Sequence, residues 1–149
     1  IRTLQTKPAF RSDKFLAYPL LAEAAGPLVH LKTAGTSYLE ALRVAAVKAP
    51  DFFRRIHSFA LSRYPEDKAS YHVSADLEQA SDTLKMDDQQ LLRVFDSLHD
   101  RQVLHVTFGS VLNEPGMKDE LMKVLDSFEE QYYDFLEIHF RKHLEPFLP

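Results

Sequence analysis

Three short apolar runs in the chain each carry a histidine at the same place. They read Pro27-Leu-Val-His30-Leu-Lys-Thr33, Ala69-Ser-Tyr-His72-Val-Ser-Ala75 and Gln102-Val-Leu-His105-Val-Thr-Phe108. Each is strand-like, because β-branched or aromatic residues flank the histidine and small or polar residues follow it. Side chains alternate faces along a strand. His30 and Lys32 would then share a face, as would His72, Ser74 and Asp76, and His105 and Thr107. Val29, Leu31, Tyr71, Val73, Leu104 and Val106 would point the other way. Three strands, each apolar on one side and polar on the other, suggest a shared polar centre. Neutral imidazole is the commonest metal ligand, and three can hold one divalent ion. A lone strand histidine is more often a hydrogen-bonded core residue, but recurrence in register favours a common role.

The other four histidines, His57, His99, His139 and His143, stand in charge-rich helical patterns and read as solvated. His99 and His143 are placed near helix C-termini, where positive charge is favoured. His139 and His143 are four apart and can share a helix face, but the glutamate of the His-Glu-x-x-His zinc motif is absent.

A chain of 149 residues is long enough for a single domain with a sizeable core. Hydrophobic residues make up 45% and charged residues 27%, the balance of an ordinary globular protein. The net charge of −4 comes with no basic block, so a nucleic-acid partner is not expected. No cysteine is present, which excludes disulfides, thiolate metal sites and a cysteine nucleophile. That fits a cytoplasmic protein. No long apolar span or signal-peptide pattern appears, so no membrane partner is expected.

Period and punctuation predict the order of elements. A short helix spans 18–25 and closes at Gly26-Pro27. The first histidine strand follows, then a turn into a helix whose Ser37 and Glu40 fit a capping box. Pro50 breaks that helix and opens a second, about 50–63, with Asp51 at its positive end. The second histidine strand leads into a polar connection over 76–86. Asp87 or Asp88 starts a third helix, with Leu91, Leu92, Val94, Phe95 and Leu98 on its apolar face. The third strand, about 101–108, ends at Gly109. A long final helix runs from Met117 to before Pro146. Strands alternating with helices predict an α/β fold of parallel strands with helical crossovers and a helix-rich C-terminus. Ligands bind beyond the carboxyl ends of such strands, where Lys32, Thr33, Ser74, Asp76, Thr107 and Ser110 would lie.

Four segments carry a family resemblance: Ser12-Asp-Lys-Phe15, His30-Leu-Lys-Thr-Ala-Gly-Thr-Ser-Tyr-Leu-Glu-Ala-Leu42, Tyr71-His-Val-Ser-Ala-Asp76 and Arg101-Gln-Val-Leu-His-Val-Thr-Phe-Gly-Ser-Val-Leu112. Together they resemble the tagaturonate epimerase family over about residues 12–148, with the stretch from His30 the most specific. The resemblance implies a metal-dependent (β/α)-barrel isomerase that interconverts D-tagaturonate and D-fructuronate in hexuronate breakdown. Family members are much longer, and this chain is similar to their C-terminal portion. A closed barrel needs eight strands and about 250 residues. Three strands therefore imply a partial barrel, completed by a missing N-terminal portion or a homo-oligomer.

Within that resemblance the candidate roles are as follows. His72 and His105, with His30 third, are the metal ligands, for Zn, Mn, Fe, Co or Ni. The metal would chelate the substrate's carbonyl and hydroxyl and stabilise an enediolate or alkoxide, by deprotonation or retro-aldol cleavage. Asp13 is the first candidate acid or base and Asp76 the second. Their alternatives are a helix N-cap for Asp13 and a loop turn for Asp76. Lys32 and Thr33, with Thr36 and Ser37 at a helix N-terminus, would bind the carboxylate of the sugar acid. A non-catalytic remnant or assembly module of the same fold is the alternative function.

Overall fold

In the computed structural model, residues 17–25 and 36–147 are described, and they are helical almost throughout. They include α1 (Tyr18–Ala25), α2 (Thr36–Lys48), α3 (Pro50–Asp67), α4 (Leu98–Val106), α5 (Phe108–Asn113), α6 (Met117–Ser127) and α7 (Glu129–Leu144). Short 3₁₀ turns form at Lys68–Ser70, Leu77–Gln79 and Glu145–Phe147, and a longer 3₁₀ segment at Asp88–Asp96. The chain divides into two compact units: residues 1–31 with 140–149, and residues 32–139.

The expected α/β arrangement, a partial (β/α) barrel of parallel strands, is overturned. No strand forms among the described residues. Of the three histidine runs, 27–33 lies outside those residues. The run at 101–108 is helical: it supplies most of α4 and the start of α5. Its β-branched residues are weak helix formers, but that preference is worth well under about 1 kcal/mol each and packing overrides it. Asp100, Val103, Leu104, Thr107 and Val111 are buried, a spacing of three and four rather than two. Ser97 caps the helix, its hydroxyl accepting from the Asp100 N–H at 3.2 Å.

The run at 69–75 keeps its alternation without joining a sheet. After the 3₁₀ turn, residues 72–76 take no regular structure. Tyr71, Val73 and Ala75 pack on the core, while His72, Ser74 and Asp76 are exposed. Backbone groups that a neighbouring strand would have met find side chains instead. The Ser74 N–H donates to Gln102 Oε1 (3.0 Å), the Asp76 N–H to His99 Nδ1 (3.0 Å), and the Ala75 carbonyl accepts from the Tyr64 hydroxyl (3.4 Å).

Other elements fall close to expectation. Pro50 occupies the first turn of α3 with Asp51 beside it. The helix runs beyond 63, through Pro65, whose missing N–H falls in the last turn. Asp87 and Gln90 form a reciprocal capping box, but the segment they open is 3₁₀ rather than α, and Leu98 is exposed and begins α4. The long final helix is two, broken at Phe128. Ser127 bonds back to the Lys123 carbonyl (2.8 Å), which bends helices, and Glu129 and Glu130 suit a new positive end. Before α6, Glu114-Pro115-Gly116-Met117 is a turn closed by the Met117 N–H on the Glu114 carbonyl (3.1 Å). Gly116 takes φ +83°, a conformation that side chains with a Cβ resist.

The core of unit 32–139 lies where α2, α3, α4 and the 88–96 segment meet. Leu42 and Ala45 face Phe53, Ile56 and Ala60, closed by Leu91, Phe95, Val103 and Leu104. The Phe53 and Phe95 rings sit 5.5 Å apart. In the other unit, Tyr18 of α1 donates to or accepts from His143 Nδ1 at 2.9 Å, and its ring lies 5.7 Å from that of Phe147.

Candidate functional site

Asp13, His30, Lys32 and Thr33 lie outside the described residues. Thr36 is the first residue of α2, and Ser37 is an exposed residue of its first turn whose carbonyl accepts from the Tyr132 hydroxyl at 3.3 Å. Ser37 is thus inside the helix rather than at its cap. Glu40 does not look back toward Ser37: its carboxylate pairs with Arg43 and with His139 Nδ1, both at 3.1 Å. Asp76 caps the 77–79 turn, accepting from the Glu78 N–H (3.0 Å) and the Gln79 amide (3.1 Å). Those two bonds, the backbone one first, hold its carboxyl below the ordinary value.

His72 and His105 are not brought together as a strand pair. His105 is in the last turn of α4, its ring edge-on to Tyr71 at 6.3 Å. His72 lies on the other, exposed face of the extended segment. Among the described residues no three histidines, aspartates or glutamates form a set that could hold a metal ion. The divalent metal implied by the resemblance therefore has no three-ligand fit among those residues.

The structure instead assembles chemistry around a histidine read as solvated. His57 is buried on α3, on the stripe Phe53, His57, Ala60 and Tyr64 that faces the core. Its Nε2 is 2.9 Å from Asp100 Oδ1, and Asp100 is also fully buried. The same carboxylate accepts from the Ser81 N–H (3.0 Å) and the Ser81 hydroxyl (2.8 Å). On the far side of the ring, Thr83 Oγ1 lies 3.3 Å from His57 Nδ1. An ionised Asp100 draws an imidazole N–H to Nε2, and in the neutral ring Nδ1 is then the acceptor for Thr83. Burial by itself would raise the Asp100 carboxyl, but hydrogen bonds from His57, Ser81 and Ser97 together bring it below its ordinary value.

Hydroxyl, imidazole and carboxylate stand in the order of a nucleophile relay. Thr83 is only 2% exposed, however, so its hydroxyl is closed off from solvent. The network anchors the 81–88 loop to α3 and α4. Arg54 extends it, donating to the Thr83 and Met86 carbonyls (3.1 and 2.9 Å) and to Asp88 (2.7 Å). His139 and His143 are also buried and partnered, with Glu40 and Tyr18 respectively. His143 keeps its expected place in a last helical turn, whereas His99 opens α4. The stripe at 53, 57, 60 and 64 was the signal in the sequence that places His57 inside. Nothing local pairs it with Asp100, 43 residues away.

No helix among the described residues is long and apolar enough to cross a membrane. The family model for tagaturonate epimerase matches residues 10–147. Over 134 residues the chain is 43% identical to the tagaturonate/fructuronate epimerase of Thermotoga maritima, covering 90% of this chain and 28% of that protein. Two crystal structures of the fructuronate-tagaturonate epimerase UxaE from Cohnella laeviribosi, native and with one glycerol, are similar to it with TM-score 0.87 and 34% identity. They cover 91% of this chain and 29% of theirs. The chain thus spans less than a third of the length of these relatives.

Proposed function

The chain belongs to the tagaturonate epimerase family, and on that premise we propose that it is the helical C-terminal part of a sugar-acid epimerase that interconverts D-tagaturonate and D-fructuronate. The observation that carries the reading is the 43% identity sustained over 90% of the chain. The TM-score of 0.87 to the Cohnella enzyme supports it independently through shape. The proposed setting is cytoplasmic hexuronate breakdown.

Epimerisation at a hydroxyl-bearing carbon requires that a proton, or a C–C bond, be removed and restored on the opposite face. Asp13 is the residue we put forward to hold that proton. Asp76 is a weaker candidate, because its carboxylate is already committed to capping the 77–79 turn. The substrate carboxylate would be met at the start of α2, where Thr36 and Ser37 stand and Lys32 and Thr33 precede them in sequence. His30, His72 and His105 stay the proposed ligands of a divalent metal only if the rest of the enzyme completes the set. Elemental analysis of the whole-length protein, beside His72→Ala and His105→Ala, tests that: unchanged metal content in both variants rejects them as ligands.

A second reading, a chain that keeps the fold and not the chemistry, is favoured by the commitment of the Asp76 carboxylate to capping the 77–79 turn. The whole-length enzyme separates the two. Turnover of tagaturonate, with Lys32→Ala and Ser37→Ala raising KM, supports the epimerase. A folded protein with no turnover supports the remnant.

A further inference from the structure

Unit 32–139 has an open groove of about 740 Å3 between the C-terminal half of α3, the turn that follows it, and α5. Its apolar lining includes Phe59, Val106 and Phe108, and Phe108 is left 42% exposed. Its charged lining is mostly acidic: Glu66, Asp67 and Glu114 against the single cation Arg63. Arg63 is already engaged, with Glu66 at 2.8 Å and Asp67 Oδ1 at 3.4 Å.

Two buried polar atoms among the described residues lack any hydrogen-bond partner, and both belong to this neighbourhood. One is Asp67 Oδ2, in the groove wall. The other is the hydroxyl of Tyr38, whose ring packs 6.1 Å from that of Phe108. A buried acceptor without a donor forfeits its hydration unrepaid, so native structures rarely leave one unmet. An acidic wall, a half-exposed aromatic and an orphan carboxylate oxygen together describe a seat lacking its occupant.

We propose that this groove is the docking seat for a segment of the epimerase outside these 149 residues, one that brings a cationic or amide donor to Asp67 and an apolar side chain onto Phe59 and Phe108. The inference rests on the reading of the chain as part of a longer epimerase. The matched part is 29% of the crystallised relative, so more than two thirds of such an enzyme is available to cover it. A net acidic wall selects a basic or neutral segment over an acidic one.

The test uses the whole-length enzyme with its other cysteines replaced by serine. Asn113→Cys, on the exposed rim of the groove, is labelled with a maleimide–diazirine probe and irradiated. Cross-linked peptides are then mapped, with isotopically mixed subunits separating intra- from intermolecular products. The expected result is an intramolecular cross-link to a peptide outside the 149 residues, unchanged on dilution. Cross-links only within the 149 residues, only to a second copy, or only to solvent overturn the proposal. Epimerase activity is assayed on the same protein. A cross-link of the expected kind without turnover leaves the docking seat standing and rejects the functional reading.

Discussion

Replacing Asp100 with alanine removes the acceptor for hydrogen bonds from His57 Nε2, the Ser81 N–H and the Ser81 hydroxyl, beside the one from Ser97. His57 is fully buried and cannot recruit water, so its stranded ring donor costs about 1–3 kcal/mol. Ser81 is half-buried, so its two donors are partly rehydrated and add about 1 kcal/mol more. The total, about 2–4 kcal/mol, overlaps the range of about 3–5 kcal/mol for breaking one partner of a buried pair. With a urea dependence of about 1–3 kcal/mol per molar, the denaturation midpoint falls by about 1–4 M. Asp126→Ala, at an exposed position of α6, is the control and stays within about 0.5 kcal/mol. A double-mutant cycle with His57→Ala then isolates the pair, and a coupling of about 1 kcal/mol or more is expected. If Asp100→Ala matches the control, the network does not hold the loop and the argument from burial fails.

The same carboxyl sets an acid limit. Its value is lowered in the folded state, so its contribution is complete above the unfolded value of about 3.9 and drains away as pH falls through the folded value. Urea midpoints measured from pH 6 down to pH 3 should drop less steeply below about pH 4 in Asp100→Asn than in the parent. Tyr38→Phe deletes a buried hydroxyl that has no partner, and is expected to be neutral or stabilising by about 1 kcal/mol in urea unfolding; a loss above about 1 kcal/mol would show that the hydroxyl is met. Gly116→Ala meets nothing within 4 Å yet keeps φ at +83°, so a cost of about 1 kcal/mol comes from backbone strain alone. Arg54→Lys cannot reproduce the fork that grips the Thr83 and Met86 carbonyls, so trypsin should cut faster after the exposed Lys85; an unchanged rate would remove Arg54 as the clamp of that loop.

Sequence reading was strongest where a chemical signal is local. The helix at 18–25, the Pro50 start of α3 with its Asp51, and the Asp87 cap each depend on residues within one turn of one another. The alternation of Tyr71, Val73 and Ala75 against His72, Ser74 and Asp76 was equally legible. The family, too, was legible, because the stretch from His30 to Leu42 is long enough to be specific, and the family match covers it. The barrel implied by that resemblance was the step that failed among the described residues, since a chain that spans under a third of its relatives' length need not contain the strands of a barrel.

The histidine runs mark the boundary between the two kinds of information. A run such as Val103-Leu-His-Val106 satisfies a period of two and a period of 3.6 over so few residues, and β-branched content tips a local reading toward strand. What decides is whether Asp100, Leu104, Thr107 and Val111 have a surface to bury against, and α2 and α3 supply it. The pairings of His57 with Asp100 and of Glu40 with His139 likewise join residues 43 and 99 positions apart. Composition and spacing establish that such groups exist, what each donates or accepts, and where helices begin. Which of them are taken out of water, and therefore which must find each other, depends on long-range packing, because desolvation is a property of the neighbours and not of the residue.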